Sequence, residues 1–168
     1  MKDEPLREAA TDQLDRVLAF FPRVDTKISA LFAVDVAMLA LLAVNARLTD
    51  LQIWYLVLAY ILSVAALGTS VWFLYRASYP VLDGGHQSLV YFREIARRTE
   101  ATYLKEMCAC SDTAFTDDLL GQVWRNAEIL TLKFDAVKWS FISTALALPT
   151  WFVALAAASA HHAELIVR

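Results

Sequence analysis

Three long apolar runs constrain this chain more than any other feature of its sequence. They cover residues 28–46, 51–75 and 139–160; Asp35 is the one charged residue in the first run, and the other two runs contain none. A helix needs about 20 mostly apolar residues to cross the hydrocarbon core, and its backbone polar groups must be satisfied within the segment. We therefore predict three transmembrane helices in an all-α integral membrane protein.

The basic residues predict how these helices are oriented. Five lysines and arginines fall in residues 1–27 and eight in 76–138, against one in the turn at 46–50 and one at the C-terminal end. Lysine and arginine concentrate on the cytoplasmic side of membrane proteins. This distribution predicts a cytoplasmic N-terminus, a cytoplasmic 76–138 segment and an external C-terminus.

Periodic apolar residues predict that the N-terminal cytoplasmic segment is an amphipathic helix. Apolar side chains recur there at spacings of three and four, which places them on one helical face. The residues of this face are Leu6, Ala10, Leu14, Val17, Leu18 and Phe21. The helix would precede the first span, and the whole chain, 1–168, is predicted to be one domain.

A helical hairpin is predicted at 86–138, between the second and third spans. The apolar positions of its first arm are Leu89, Phe92, Ala96, Tyr103 and Met107; those of its second arm are Val123, Ala127, Leu130, Phe134 and Val137. A turn is expected within 108–113. Glu94 and Arg98 have the i, i+4 spacing of a helical ion pair. The second arm is expected to continue into the last span.

Several classes of function find no support in the sequence. The net charge of −3 gives no electrostatic attraction to duplex nucleic acid. The chain has no glycine-rich phosphate loop, no Gly-x-Ser-x-Gly and no His-Glu-x-x-His, so we predict no enzymatic activity and no cofactor. Cys108 and Cys110 are interpreted as ordinary thiols and His161-His162 as a polar boundary, which leaves no predicted metal site.

Asp35 and Pro149 are unusual inside apolar runs and are the candidate gating positions of the membrane bundle. A carboxylate at the centre of a span costs about 2.5–3.5 kcal/mol on insertion scales. One interpretation is that Asp35 bonds a hydroxyl of a neighbouring span, such as Ser63, Thr69 or Thr144. The other is a polar lining of an oligomeric assembly or pore. Pro149 should kink the third span or be accommodated by a neighbouring helix.

The hairpin also carries candidate ligand-binding residues, namely Arg93, Arg97, Tyr91, Asn126, Lys133 and, as an alternative aromatic residue, Trp124. The two arginines are one turn apart, and Asn126 and Lys133 share a helical face because they are seven residues apart. Arginine binds phosphate with two parallel bonds, an amide reads a base edge, and an aromatic ring stacks on a base. This set could therefore hold a small phosphorylated ring, although a solvated or headgroup-facing surface would look the same.

The order of several short motifs resembles the Pycsar effector transmembrane family of bacterial antiphage systems over roughly residues 18–158. The motifs are Asp25-Thr26-Lys27 before the first span, Tyr79-Pro80 after the second, the Tyr91 to Ile95 run Tyr-Phe-Arg-Glu-Ile, and the Asn126 to Lys133 stretch before the third. Asp35 stands where that family shows a neutral polar residue. The resemblance implies a bacterial inner-membrane protein that acts in defence against phage.

The resemblance further implies a ligand and partners. A nucleotidyl cyclase would make cyclic CMP or cyclic UMP, and the effector, as a homo-oligomer in the lipid bilayer, would bind it and impair the inner membrane, causing abortive infection. The alternative hypothesis is a non-enzymatic scaffold or anchoring subunit whose hairpin binds a protein partner.

Overall fold

A computed structural model describes residues 3–80 and 84–167, with side chains described for 4–80 and 84–163, and within these ranges the ordered elements are all helical. They are α1 (Asp3–Leu18), α2 (Phe20–Asn45), a 3₁₀ helix (Leu48–Gln52), α3 (Trp54–Ser78), α4 (Phe92–Ala96), α5 (Glu100–Ala109) and α6 (Asp112–Val167). The described part of the chain contains no strand. The prediction of an all-α fold is confirmed.

Three helical stretches are long and apolar enough to cross a membrane. They are Glu4–Asn45, which takes α1 and α2 together, Trp54–Ser78 and Asp112–Ala163. The prediction of three membrane-spanning helices is confirmed. The second begins at Trp54 rather than at 51, because the 3₁₀ helix Leu48–Gln52 occupies the preceding residues.

The chain divides into two compact units, and α2 and α6 each contribute residues to both. Unit 1 comprises the described residues of Met1–Val24 and Pro80–Lys133, and unit 2 those of Asp25–Tyr79 and Phe134–Arg168. The predicted continuation of the hairpin into the last span is confirmed, because α6 is one helix of 56 residues.

Unit 1 is built on part of the apolar face predicted for the N-terminal helix: Ala10, Leu14 and Val17 are buried, whereas Leu6 and Leu18 are exposed and Phe21 lies on α2. Ala10 and Leu14 of α1 are buried with Leu119 of α6, and Val90, Phe115 and Val123 pack around them. The hairpin is present, but its first arm consists of two short helices, α4 and α5, rather than one. Leu89 precedes both helices, so the predicted stripe from Leu89 to Met107 does not lie on one helical face.

Arg98 lies in the gap between α4 and α5 and makes several hydrogen bonds from there. Its guanidinium donates to the carbonyl oxygens of Gln87, Ser88 and Glu94 at 2.8, 3.0 and 2.8 Å, and its Nε donates to Glu106 Oε2 at 2.7 Å. These bonds satisfy carbonyls that a continuous helix would pair internally. The predicted i, i+4 ion pair of Glu94 and Arg98 is therefore replaced by a bond from Arg98 to the Glu94 backbone carbonyl, and the Glu94 carboxylate pairs with Arg97.

Unit 2 packs small residues of α6 against α2 and α3. Ala147 and Ala154 are fully buried beside Met38 and Leu67, and Trp151 Nε1 donates to the Met38 carbonyl at 3.0 Å. Small side chains allow helices to approach closely where lipid provides no hydrophobic driving force between them. Helices α2, α3 and α6 therefore form one helical bundle.

A polar contact lies at one end of unit 2. His162 Nε2 is 3.0 Å from Asp50 Oδ1, and the second oxygen of Asp50 accepts the Arg47 N–H at 2.8 Å. Both side chains are buried. His162 is therefore part of a specific contact, which the interpretation of His161-His162 as a simple polar boundary did not anticipate.

Candidate functional site

The candidate ligand site of unit 1 is built around the segment that runs from Gly84 to Tyr91. Asp118 of α6 accepts the Leu89 N–H at 2.7 Å and the Ser88 hydroxyl at 3.0 Å. The Ser88 oxygen in turn accepts the Tyr91 N–H at 2.9 Å and the Gln122 side-chain amide at 3.2 Å. The segment is fixed to α6 by these bonds, and Tyr91 is held at the start of α4.

Two cavities adjoin this segment and share two residues, Tyr91 and Arg125. The larger, of about 400 Å³, contains the predicted residues Tyr91, Asn126 and Lys133. The smaller, of about 200 Å³, contains Tyr91, Arg93 and Arg97. The structure thus brings the five predicted ligand-binding residues to two neighbouring cavities rather than to one.

Trp124 does not belong to this group. Its side chain is largely exposed, and it lines neither cavity. Of the two aromatic residues that the sequence offered, only Tyr91 faces the cavities. A Cβ on Gly84 would lie 1.9–2.4 Å from the Tyr91 ring, so the absence of a side chain there allows the ring its position.

Arg125 is the site residue that sequence reasoning missed. It lines both cavities, and its Nε is buried with no hydrogen-bond partner among the described residues. A buried donor without a partner costs about 1–3 kcal/mol, which a ligand acceptor would recover. Gln122 lies one helical turn before Asn126. Including Gln122 in the face of Asn126 and Lys133 would have drawn attention to Arg125, which is three residues after Gln122.

The smaller cavity has an excess of positive charge. Arg93, Arg97 and Arg125 line it together with His86 and one acid, Glu94. Burial opposes ionisation of Glu94, but the Gln87 N–H and the guanidinium groups of Arg97 and Arg98 outweigh it, so the pKa of Glu94 lies below its usual range. Glu94 is therefore ionised at neutral pH and ion-paired with Arg97.

The larger cavity combines apolar walls with amide and ammonium groups. Lys133 Nζ lies 5.9 Å from the centre of the Phe21 ring, and the Asn126 side-chain amide donates to the Gln122 carbonyl at 2.8 Å. Leu14, Val90 and Ile129 supply apolar surface. A cavity of this size and lining suits a compact ligand with one flat apolar face and a few polar atoms.

Asp35 lies in a buried polar cluster within unit 2, which we call the Asp35 cluster: Asp35, Ser70, Ser140 and Thr144. The two carboxylate oxygens of Asp35 accept hydrogen bonds from the hydroxyls of Ser70 at 2.5 Å and Thr144 at 2.8 Å. Ser70 Oγ lies 2.7 Å from Ser140 Oγ. The expected bond to Thr144 is confirmed. Ser63 and Thr69 instead contact the Ala59 and Ala65 carbonyls of their own helix.

Pro149 lies inside α6, and polar side chains of α6 and α3 lie close to it. Because proline has no N–H, the helical bond to the Ala145 carbonyl cannot form. The next residue, Thr150, donates to the Ala147 carbonyl at 2.9 Å, and its Oγ1 lies 3.0 Å from Ser63 Oγ of α3. The helix is therefore tied to α3 at this position, as expected for a proline accommodated by a neighbour.

Comparison with known proteins supports one family. The family described as Pycsar effector protein domain matches residues 9–160. No curated protein matches the chain, and no solved structure does. The match covers both units, including every residue of the two cavities named above and the Asp35 cluster. The chain belongs to the Pycsar effector family, and it is a membrane effector of antiphage defence.

Proposed function

We propose that this effector binds a cyclic pyrimidine mononucleotide, cyclic CMP or cyclic UMP, in the two cavities of unit 1 and then impairs the integrity of the bacterial inner membrane. The observation that supports the proposal most is the convergence of Arg93, Arg97, Arg125 and Lys133 on cavities that also contain Tyr91 and two amides. No enzymatic step is required. Loss of membrane integrity would end the infection together with the infected cell.

The smaller cavity supports recognition of the cyclic phosphate. Guanidinium groups bind phosphate oxygens with paired, charge-assisted hydrogen bonds, which are roughly twice as strong as neutral ones. Arg97 is already paired with Glu94, whereas Arg125 offers a buried donor without a partner among the described residues. We therefore assign Arg125 and Arg93 to the phosphate, with Arg97 and Glu94 orienting the cavity wall.

The larger cavity supports recognition of the base. Tyr91 offers a ring on which a base can stack, worth about 1–3 kcal/mol. Gln122 and Asn126 offer amides for the polar edge of a pyrimidine. The Asn126 amide donates one N–H to the Gln122 carbonyl, so its second N–H and its oxygen can bond to the base. A volume of about 400 Å³ is near the lower end for ligand cavities, which favours a single-ring base.

The Asp35 cluster is the proposed point at which the membrane bundle responds. Its four polar side chains join α2, α3 and α6, and their hydrogen bonds hold a carboxylate away from lipid. Separating the helices, within one chain or in a homo-oligomer, would expose that carboxylate and favour water entry. The ligand drives such a change only to the extent that it binds the altered state more tightly.

A binding titration tests the proposed ligand. We expect purified protein to bind cyclic CMP or cyclic UMP at least about tenfold more tightly than cyclic AMP or cyclic GMP, a difference of about 1.4 kcal/mol. Isothermal titration calorimetry of the four nucleotides measures it. Binding of none of the four would contradict the proposal and favour the scaffold hypothesis. A nucleotidyl cyclase gene beside this gene would supply the second messenger.

The proposed topology is tested separately. A reporter that works only in the cytoplasm should be active when fused after Arg98 and inactive when fused after Arg168, because thirteen of the fifteen basic residues lie in 1–27 and 76–138. A reporter that works only outside the cytoplasm should give the opposite pattern. Cytoplasmic activity at both sites would contradict a three-span orientation with a cytoplasmic N-terminus.

A further inference from the structure

An apolar groove of about 510 Å³ lies between α2 and α6 within unit 2. One row of its lining residues follows one face of α2 and the other follows one face of α6. The rows are Lys27, Ala30, Leu31 and Val34, and Phe134, Val137, Lys138, Phe141 and Ile142. Among the residues that the structure describes, the two lysines are the only charged ones that line it, and we call this groove the lysine groove.

Both lysines lie at the point where a polar segment gives way to an apolar run. Lys27 directly precedes the run at 28–46, and Lys138 directly precedes the run at 139–160. Lys27 Nζ lies 5.4 Å from the centre of the Phe134 ring, and Lys138 Nζ lies 5.9 Å from the centre of the Trp139 ring. Lysines in this position reach the headgroup level, and aromatic rings favour the same depth.

A second groove of unit 2 provides a comparison. It has a volume of about 340 Å³, and α2 and α3 line it with Ile28, Ser29, Phe32, Val71, Leu74, Tyr75 and Ser78. None of these residues is charged. Any acyl chain could fill either groove, but only the lysine groove offers positive charge for a phosphate. The lysine groove should therefore distinguish between lipids by the charge of their headgroups.

We propose that the lysine groove binds one anionic phospholipid. The headgroup phosphate lies between Lys27 and Lys138, and one acyl chain extends along Leu31, Val34 and Ile142. Seven residues of α2 separate Lys27 from Val34, which at 1.5 Å per residue gives a length of about 10 Å. One leaflet of the hydrocarbon core is about 15 Å thick, so the groove holds the upper part of one chain. This site is independent of the proposed nucleotide site.

Charge favours a lipid over a second copy of the chain. A symmetric dimer uses the same surface of both subunits, so a dimer formed through this groove would bring four lysines together. Like charges close together repel each other. A phosphate instead neutralises the pair, and basic residues near an anionic membrane surface contribute roughly 1 kcal/mol each.

Native mass spectrometry of the full chain in neutral detergent tests the proposal, with phosphatidylglycerol and phosphatidylcholine of equal chain length as probes. We expect preferential binding of phosphatidylglycerol. The double variant Lys27→Gln with Lys138→Gln should bind phosphatidylglycerol about 25-fold more weakly, because each lysine contributes about fivefold to the affinity. Arg76→Gln is the matched control, because Arg76 is the basic residue in the last turn of α3 and does not line the lysine groove. That variant should keep the preference.

A second pair of variants tests the acyl chain while leaving the lysines in place. Ala30→Phe fills the lysine groove and should release phosphatidylglycerol, whereas Ser29→Phe, which fills the neighbouring groove, should retain it. Circular dichroism and gel filtration show whether the double lysine variant folds. If it does not, the comparison of Ala30→Phe with Ser29→Phe tests the lipid site instead.

Three results would overturn the proposal. The first is equal binding of the two lipids by the native chain. The second is displacement of phosphatidylglycerol by an equal concentration of soluble glycerol phosphate, which would indicate a phosphate site without a lipid chain. The third is a dimer without lipid that Ala30→Phe dissociates, which would assign the groove to a second copy.

Discussion

Arg125→Ala is expected to weaken binding of the cyclic pyrimidine mononucleotide about ten- to a hundredfold, because a charge-assisted hydrogen bond contributes about 1.5–3 kcal/mol. Arg125 lines both cavities, and its Nε has no partner among the described residues. Arg125→Lys keeps the charge but loses the paired geometry, so its affinity should be intermediate. Calorimetric titration of the purified variants measures these differences.

The matched control for this prediction is Arg16→Ala. Arg16 is an exposed arginine of α1 in the same unit, and it lines neither cavity. Its removal should leave affinity unchanged, while Arg93→Ala and Lys133→Ala should each weaken binding. Native affinity in Arg125→Ala, with native helix content, would place the nucleotide elsewhere on the protein.

Inserting two glycines between Lys133 and Phe134 is expected to abolish membrane damage while nucleotide affinity stays within about twofold. The insertion falls at the boundary between the two units, so it leaves the cavity residues of unit 1 and the Asp35 cluster of unit 2 intact. Glycine costs about 1 kcal/mol relative to alanine in a helix, and two inserted residues also turn the helix by about 200°. A change at the cavities would then not reach the bundle through α6.

The readout is dye entry into cells that make the nucleotide, compared at matched expression with calorimetric affinity. Two glycines inserted between Ala163 and Glu164 serve as the control, because this position in α6 lies beyond both the cavities and the Asp35 cluster. That variant should still admit dye. Undiminished dye entry with the insertion after Lys133 would show that α6 does not carry the signal.

The helices were predictable because length and apolar periodicity are local properties. The runs at 28–46, 51–75 and 139–160 all fall largely within long helices, and α6 continues from the hairpin into the last span as expected. The break between α4 and α5 was not predicted, and neither were the bonds from Arg98, which lies in that break, to the carbonyls of Gln87 and Ser88. A helical pattern does not reveal which distant carbonyl a guanidinium will reach.

The site was predictable as a set of residue types but not as a geometry. Four polar residues were selected from spacing and Tyr91 as an aromatic residue, yet the five line two cavities, and Arg125 lines both. The geometry of the Asp35 cluster was likewise not predictable from residue types alone. Ser63, Thr69 and Ser70 all lie on α3, but only the rotation of that helix about its axis decides which hydroxyl faces Asp35, and Ser70 is the one that does.

The Asp35 cluster also has a consequence for how the protein is made. Ribosomes complete α2 first, when Asp35 has neither the Ser70 nor the Thr144 hydroxyl to bond, and the carboxylate then costs about 2.5–3.5 kcal/mol in lipid. Ser70 follows with α3, but Thr144 is synthesised 109 residues after Asp35. The first span is therefore satisfied only when the last has been inserted. A chain that ends before Thr144 leaves one oxygen of the Asp35 carboxylate without its partner, so it should be less stable in the bilayer than the full-length effector.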